Sequence, residues 1–318
     1  MNTLLGISIP TFKRPEQLLA TVRSVAAAGG LEHEIPVYIA DDSLDDTNAA
    51  TLATLAGEYP FLIVRHNERN LGIDGNILNS VNINECRYAW LLGEDDRLVP
   101  GAVTKMLAVL ESSTAPFLYA NYSSVNSDFS RVLKPASLAL AGDAVQSADT
   151  FWRQSAWSAG FIGACVVNKA AWQRVEQAKY VGTWFAHVGV IMEAAHGHDI
   201  PMLAEPLILN RCGTTEVFTW TSTMMDVLDG WRRLCVLLEP LYGASACRES
   251  LHSFRRAHGL GTLKFLAYAR AGGALTPAVV REHILPGNES AWFKGWARIV
   301  ARLPAGWFRT LQRWKHHA

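Results

Sequence analysis

The sequence is poor in several features, and each shortage removes a class of function. It has no charge-free apolar stretch of about 18 residues or more, so nothing in it reads as a membrane span. The opening residues, MNTLLGISIPTF, lack the basic stretch and long apolar core of a signal peptide. The five cysteines, at 86, 165, 212, 235 and 247, form no CxxC pair and no zinc-like spacing. An odd count without a framework predicts reduced thiols in a cytoplasmic setting. Neither sign of charge is in excess, since Lys+Arg and Asp+Glu both number 29. No global field therefore favours nucleic acid or an acidic polymer. No GxGxxG follows the first apolar run, which argues against a dinucleotide enzyme. There is no internal repeat and no low-complexity tract.

What is present is apolar residue in quantity, 49% of 318 residues, enough for a sizeable core. Four short apolar runs, at 4–9, 35–40, 61–66 and 88–92, read as strands, with 4–9, 35–40 and 88–92 buried. Helical spacing separates them, at 15–28 after Pro15, at 47–55 and at 74–81. Strands alternating with helices over about a hundred residues predict an α/β fold with a parallel, doubly wound sheet. Beyond residue 100 a helix over 100–113 opens on proline, and 117–125 and 159–168 read as further strands. The stretch 126–150 reads as loop, 169–178 as helix, and 223–271 as helix with Leu228, Trp231, Leu234, Leu238 and Leu241 on one side. The sheet domain is expected to span 1–215, a helical region 216–290, and a distinct tail 291–318.

In a parallel sheet, ligands bind at the loops leaving the carboxyl ends of the strands. The polar clusters of this sequence fall there. Strand one leads into Pro10-Thr11-Phe12-Lys13-Arg14, strand two into Asp41-Asp42-Ser43, and strand four into Gly93-Glu94-Asp95-Asp96. Asp41 and Asp42 follow a buried run; one carboxylate there serves a base or ribose, or caps the next helix as Asp45 or Asp46 can. Three consecutive acids raise one another's proton affinity unless a cation sits among them. Hard oxygen ligands of that kind suit Mg²⁺ or Mn²⁺, and the alternative is a solvated turn before the helix at Pro100.

Taken in order, SIPTFKRPEQL, ADDS, NLGIDGNILNSV and LLGEDDRLVPGAV resemble glycosyltransferase family 2, with its GT-A fold. The nearer likeness is to a branch that includes abequosyltransferases and other O-antigen or capsule sugar transferases. The resemblance covers roughly residues 4 to 215. It implies a nucleotide-diphosphate sugar donor, a Mn²⁺ or Mg²⁺ cofactor and inverting transfer to a saccharide acceptor. It assigns the nucleotide pocket to Pro10, Thr11 and Arg14, with Asp42 accepting from the base and Asp41 supporting the loop. Asn70, Gly72, Asp74 and Asn76 are expected to shape the pocket floor. Asp95 would face the ribose and metal, and Asp96 would hold the metal. Arg211, in NRCGTTEVF, resembles an arginine placed near the donor phosphates; the alternative is a surface ion pair. The family's Glu-Asp pair is missing from TWFAH, where His187 is the candidate base or else a packed core histidine. Glu193 and Asp143 are the alternatives for that role. His196-Gly197-His198 reads as solvated loop rather than metal site. The missing pair also keeps open a non-catalytic, nucleotide-sugar-binding component of a polysaccharide assembly complex.

Residues 291–318 hold Lys294, Arg298, Arg302, Arg309, Arg313 and Lys315, four tryptophans and no acid. Such a segment either lies on an anionic membrane surface or packs its tryptophans into the core. The first reading suits a polyprenyl-diphosphate-linked acceptor at the inner face of the plasma membrane.

Overall fold

The computed structural model describes residues 1–212, 220–285 and 289–316, with the side chains of 220–225 and 311–316 excepted. The expected domain boundary near 215 lies outside the described residues. The four leading strands are β1 (Leu5–Thr11), β2 (Val37–Asp41), β3 (Leu62–His66) and β4 (Tyr88–Leu91). They pair in parallel in the order β3-β2-β1-β4. Between them run α1 (Pro15–Val25), α2 (Ala49–Glu58) and α3 (Gly72–Asn82). Pro15 opens α1, and the chain leaves it through a π turn at Ala26–Gly30, where Gly29 takes φ 103. That left-handed backbone is one only glycine adopts freely.

After β4 the sheet continues with β5 (Arg97–Leu98), α4 (Ala102–Leu110), β6 (Phe117–Val125), β7 (Val132–Lys134), β8 (Ala144–Ser147), α5 (Ala148–Gln154) and β9 (Cys165–Asn168). Then come α6 (Lys169–Gln173), α7 (Ala186–Ala195) and β10 (Asp199–Arg211). Beyond β4 the order is β9-β6-β10-β5. β9 runs antiparallel between β4 and β6, which restores β6 and its parallel neighbour β10 to the direction of β1. The sheet is therefore mixed, with its parallel strands all pointing their carboxyl ends to one edge.

Several expectations are corrected here. The strand expected over 159–168 is strand only from Cys165; Ala156–Gly160 and Ile162–Ala164 are 3₁₀ turns. The helix expected to reach 178 stops at Gln173. The stretch 126–150, read as loop, contains β7 and β8.

The helical region is α8 (Trp220–Ala257), α9 (Leu263–Ala271), the short α10 (Pro277–Val279), α11 (Ala291–Val300) and α12 (Ala305–His316). α8 reverses at Gly243, with φ 79, three residues after Pro240. Leu228, Trp231, Leu234 and Leu238 are buried, whereas Leu241 is exposed. Trp231 stacks on Trp152 of α5 and on Phe254, with centroids 5.7 and 4.4 Å away, and meets Phe185 edge to face at 4.9 Å. Each such contact adds about 0.5–1.5 kcal/mol beyond area burial, so this cluster binds α8 to the sheet domain.

A candidate active site at the carboxyl edge of the sheet

The GEDD turn leaves β4 at the centre of that edge. Glu94 turns back toward β1: Thr11 Oγ1 donates to its carboxylate, and the Phe12 N–H donates to Oε2 at 2.9 Å. Burial pushes its pKa up to about 7 against the pull of those donors and of Arg14. Asp95 is the most accessible of the three. Arg14 Nη1 donates to its Oδ2 at 2.9 Å, and Arg211 Nη1 lies 3.9 Å from the same oxygen. Asp96 is only 3% exposed, and burial and neighbouring Asp95 hold its pKa well above the usual carboxylate range. Its Oδ1 accepts from the Arg211 N–H at 2.9 Å, linking the end of β10 to the turn. Gly93 makes room for its other oxygen: a Cβ there would lie 2.2 Å from Asp96 Oδ2. Thr21 of α1 braces the turn from below, its hydroxyl within 2.8 Å of the carbonyls of Glu94 and Asp96.

Asp41 and Asp42 are both buried and play different parts. Asp41 Oδ1 accepts from the N–H and Oγ of Ser43 and from Asn48 Nδ2, which fixes its own loop. Asp42 reaches across to NLG, accepting from Asn67 Nδ2 at 2.8 Å, the Leu71 N–H at 2.9 Å and the Gly72 N–H at 3.2 Å. Asp42's carboxylate is thus filled by main chain and by Asn67, so its visible work is to place the 67–72 segment. Asn70 donates to the Asp42 carbonyl at 3.4 Å and accepts from the Gly72 N–H. Asn76 donates to the carbonyls of Thr11 and Ala40, tying α3 to the ends of β1 and β2, where Pro10 pairs with Ala40.

Asp74, expected in the floor, instead holds the TWFAH segment. It accepts from the N–H groups of Gly182, Trp184 and Ala186 at 2.8, 3.0 and 3.2 Å. Those bonds support Trp184 at φ 65, a left-handed conformation unusual for a bulky residue. Across the segment, Gly230 of α8 approaches so closely that a Cβ would stand 2.0 Å from the Thr183 carbonyl oxygen.

None of the three base candidates stands over the carboxylates. His187 is 1% exposed; its Nε2 donates to the Ala159 carbonyl at 3.0 Å and burial lowers its pKa to about 4. It sits as a packed core histidine, closed off from solvent. Glu193 pairs with Lys179 and with the Tyr180 hydroxyl, about 10 Å down α7 from its first turn. Asp143 accepts from the Ala204 N–H, and the register along β6 puts it roughly 16 Å from the edge.

Asp95 and Asp96 do suit a divalent ion. They offer two hard carboxylates, one solvent-facing and one whose raised proton affinity a cation would relieve. Two are what Mg²⁺ or Mn²⁺ commonly takes when substrate phosphates and waters fill its shell. Among the described residues there is no cluster of three or more metal-ligating side chains, so the donor itself must complete such a site.

Four contributors were missed by sequence reading: Gly93, Thr21, Glu94 as a brace for β1, and Asn67. Only Gly93 and Glu94 carried a signal, their place in the GEDD turn.

Residues 7–142 match the family model described as Glycosyl transferase family 2. Abequosyltransferase RfbV of Salmonella typhimurium is 25% identical over 222 residues, covering 65% of this chain and 66% of that protein. S. aureus TarS 1–349 superposes with a TM-score of 0.61 at 14% identity, over 99% of this chain and 91% of that one. Its complex with UDP-GlcNAc gives a TM-score of 0.60 at 12% identity, over 99% and 92% of the two chains. At such identities the structural likeness speaks for the fold, which is of the GT-A kind. The family match covers β1 to β4 and the GEDD turn, most of the carboxylate edge: over residues 7–142 this chain is similar to glycosyltransferase family 2.

Proposed function

We propose that the chain transfers a sugar from a nucleoside-diphosphate donor to a saccharide acceptor during synthesis of a bacterial surface polysaccharide. The observation that carries this is the meeting of Glu94, Asp95 and Asp96 with Arg14 and Arg211 at the carboxyl ends of β1, β4 and β10. The likeness to an abequosyltransferase supports the polysaccharide setting, and the UDP-GlcNAc complex of TarS supports the class of donor.

The reaction is a single displacement with inversion. The acceptor oxygen bonds to the anomeric carbon on the face opposite the diphosphate, and the bond from that carbon to the diphosphate oxygen breaks. The departing diphosphate takes the bonding pair, and the acceptor hydroxyl gives its proton to solvent water in the same step. Asp95 and Asp96 would hold Mn²⁺ or Mg²⁺, which when bound supplies charge neutralisation to the departing diphosphate. Arg14 and Arg211 add fixed positive charge beside Asp95. Asp42 and Asp74 position the 67–72 and 182–186 segments that wall the cleft. The acceptor is polyprenyl-diphosphate-linked, and the chain works peripherally at the inner face of the plasma membrane. No described helix is long and apolar enough to cross a membrane.

The test is slow donor hydrolysis across UDP-, GDP-, CDP- and dTDP-sugars, each with Mn²⁺, Mg²⁺ and chelator, beside Asp96→Ala. Hydrolysis of one donor that requires both the ion and Asp96 is expected. Failure to bind any nucleotide would refute the proposal, and metal-dependent binding without turnover would favour a non-catalytic role.

A further inference from the structure

α11 carries two apolar stripes, and only one of them is used. Phe293, Ala297 and Val300 are buried on one side, where the helix packs on α9. Trp292, Trp296 and Ile299 are 61%, 40% and 51% exposed. At about 100° per residue, the exposed three fall within an arc of roughly 60°, centred some 100° from the buried three. The two indoles meet edge to face, with centroids 6.2 Å apart. Lys294, Arg298 and Arg302 take the remaining arc; Lys294 is tied to the Leu285 carbonyl at 2.7 Å, while Arg298 and Arg302 are exposed. Trp307 of α12 is also 63% exposed, and residues 291–316 contain no acid to offset these cations.

Among the described side chains of this segment the core is filled by Phe293, Ala297 and Val300, and Trp292, Trp296 and Trp307 face water. Two adjacent, solvent-facing indoles flanked by unrelieved cations match the two layers of an anionic bilayer surface. The indoles suit the interfacial zone and the guanidinium groups suit the lipid phosphates. We infer that the Trp292-Trp296-Ile299 face of α11 docks on an anionic lipid surface, with Arg298 and Arg302 as its electrostatic partners. This deepens the peripheral-membrane part of the proposed function by naming the face and the lipid class. It does not depend on the donor chemistry.

The experiment is co-flotation of the full chain with phosphatidylcholine vesicles containing 30% phosphatidylglycerol, and with pure phosphatidylcholine vesicles. Binding to the anionic vesicles alone is expected. Trp292→Ala with Trp296→Ala should weaken it by about tenfold or more. Arg298→Gln with Arg302→Gln should weaken it by roughly thirtyfold, an effect that added salt imitates. All four side chains are exposed, so the thermal midpoint should hold, and donor hydrolysis without vesicles should stay within twofold of wild type. Absence of binding to either vesicle overturns the inference and leaves the transferase reading standing. So does binding that survives the tryptophan changes. A dimer in sedimentation that dissociates on those changes, with no vesicle binding, also overturns it and assigns the face to a second copy of the chain.

Discussion

Gly93→Ala tests the site with a single methyl group. The new Cβ would stand 2.2 Å from Asp96 Oδ2 and 3.2 Å from its Cγ, so the carboxylate must retreat by about 1 Å to reach ordinary contact. Asp96 has nowhere easy to go, being 3% exposed and held by the Arg211 N–H at 2.9 Å. Losing that charged hydrogen bond and overpacking the turn should together cost about 2–4 kcal/mol. A displacement of about 1 Å at a group that positions the reacting phosphates should lower turnover by about a hundredfold. The control is Gly57→Ala in α2, where a Cβ meets nothing within 4 Å. It should leave turnover alone and raise stability by up to about 1 kcal/mol. Urea unfolding midpoints and donor hydrolysis measure both. If Gly93→Ala hydrolyses donor at the wild-type rate and unfolds with Gly57→Ala, the buried placement of Asp96 and the argument built on it are wrong.

Other substitutions report on the neighbouring groups. Glu94 has its pKa raised to about 7, so the folded state binds the proton more tightly than the unfolded chain. Its contribution to stability is complete below the unfolded value of about 4.3 and disappears as pH rises through about 7; Glu94→Gln should flatten that fall in urea midpoints. Asp74→Asn replaces an acceptor of three N–H groups by one with a single acceptor oxygen, and should cost about 3 kcal/mol and raise proteolysis within 181–186. His187→Gln should lower stability by about 1–2 kcal/mol while leaving the shape of the pH–rate profile for transfer unchanged, because His187 faces Ala159 and not the cleft. A profile that loses its acid-side limb in that variant would restore His187 as the base.

β1, β2 and β4 were legible because each is a continuous apolar run, as buried parallel strands are, whereas β3, at the sheet edge, is only partly buried and ends in Arg65 and His66. β10 was not, since DIPMLAEPLILNR carries two prolines and two internal polar positions and accommodates them through a register shift between Leu203 and Ile208. The antiparallel insertion of β9 left no trace in its four residues, whose composition suits either direction. At the site, the acids announced themselves by position, but their partners did not. Nothing in the local sequence of α1 says that Thr21 supports residues more than seventy positions away. The membership of Trp292 and Trp296 in a stripe could be read from their spacing. Which stripe the core would take could not, because α11 offers two.

Asp42 and Asp74 hold their segments almost entirely through peptide N–H groups. A loop fastened largely by its main chain depends little on the identity of its other side chains, Asn67 and Asn70 excepted. Positions such as Ile73 and Val181, exposed beside these anchors, can therefore be exchanged without disturbing the backbone path. The same scaffold can present different walls to different sugars, and a change of substrate would require only side-chain substitution along two rails that the carboxylates keep in place.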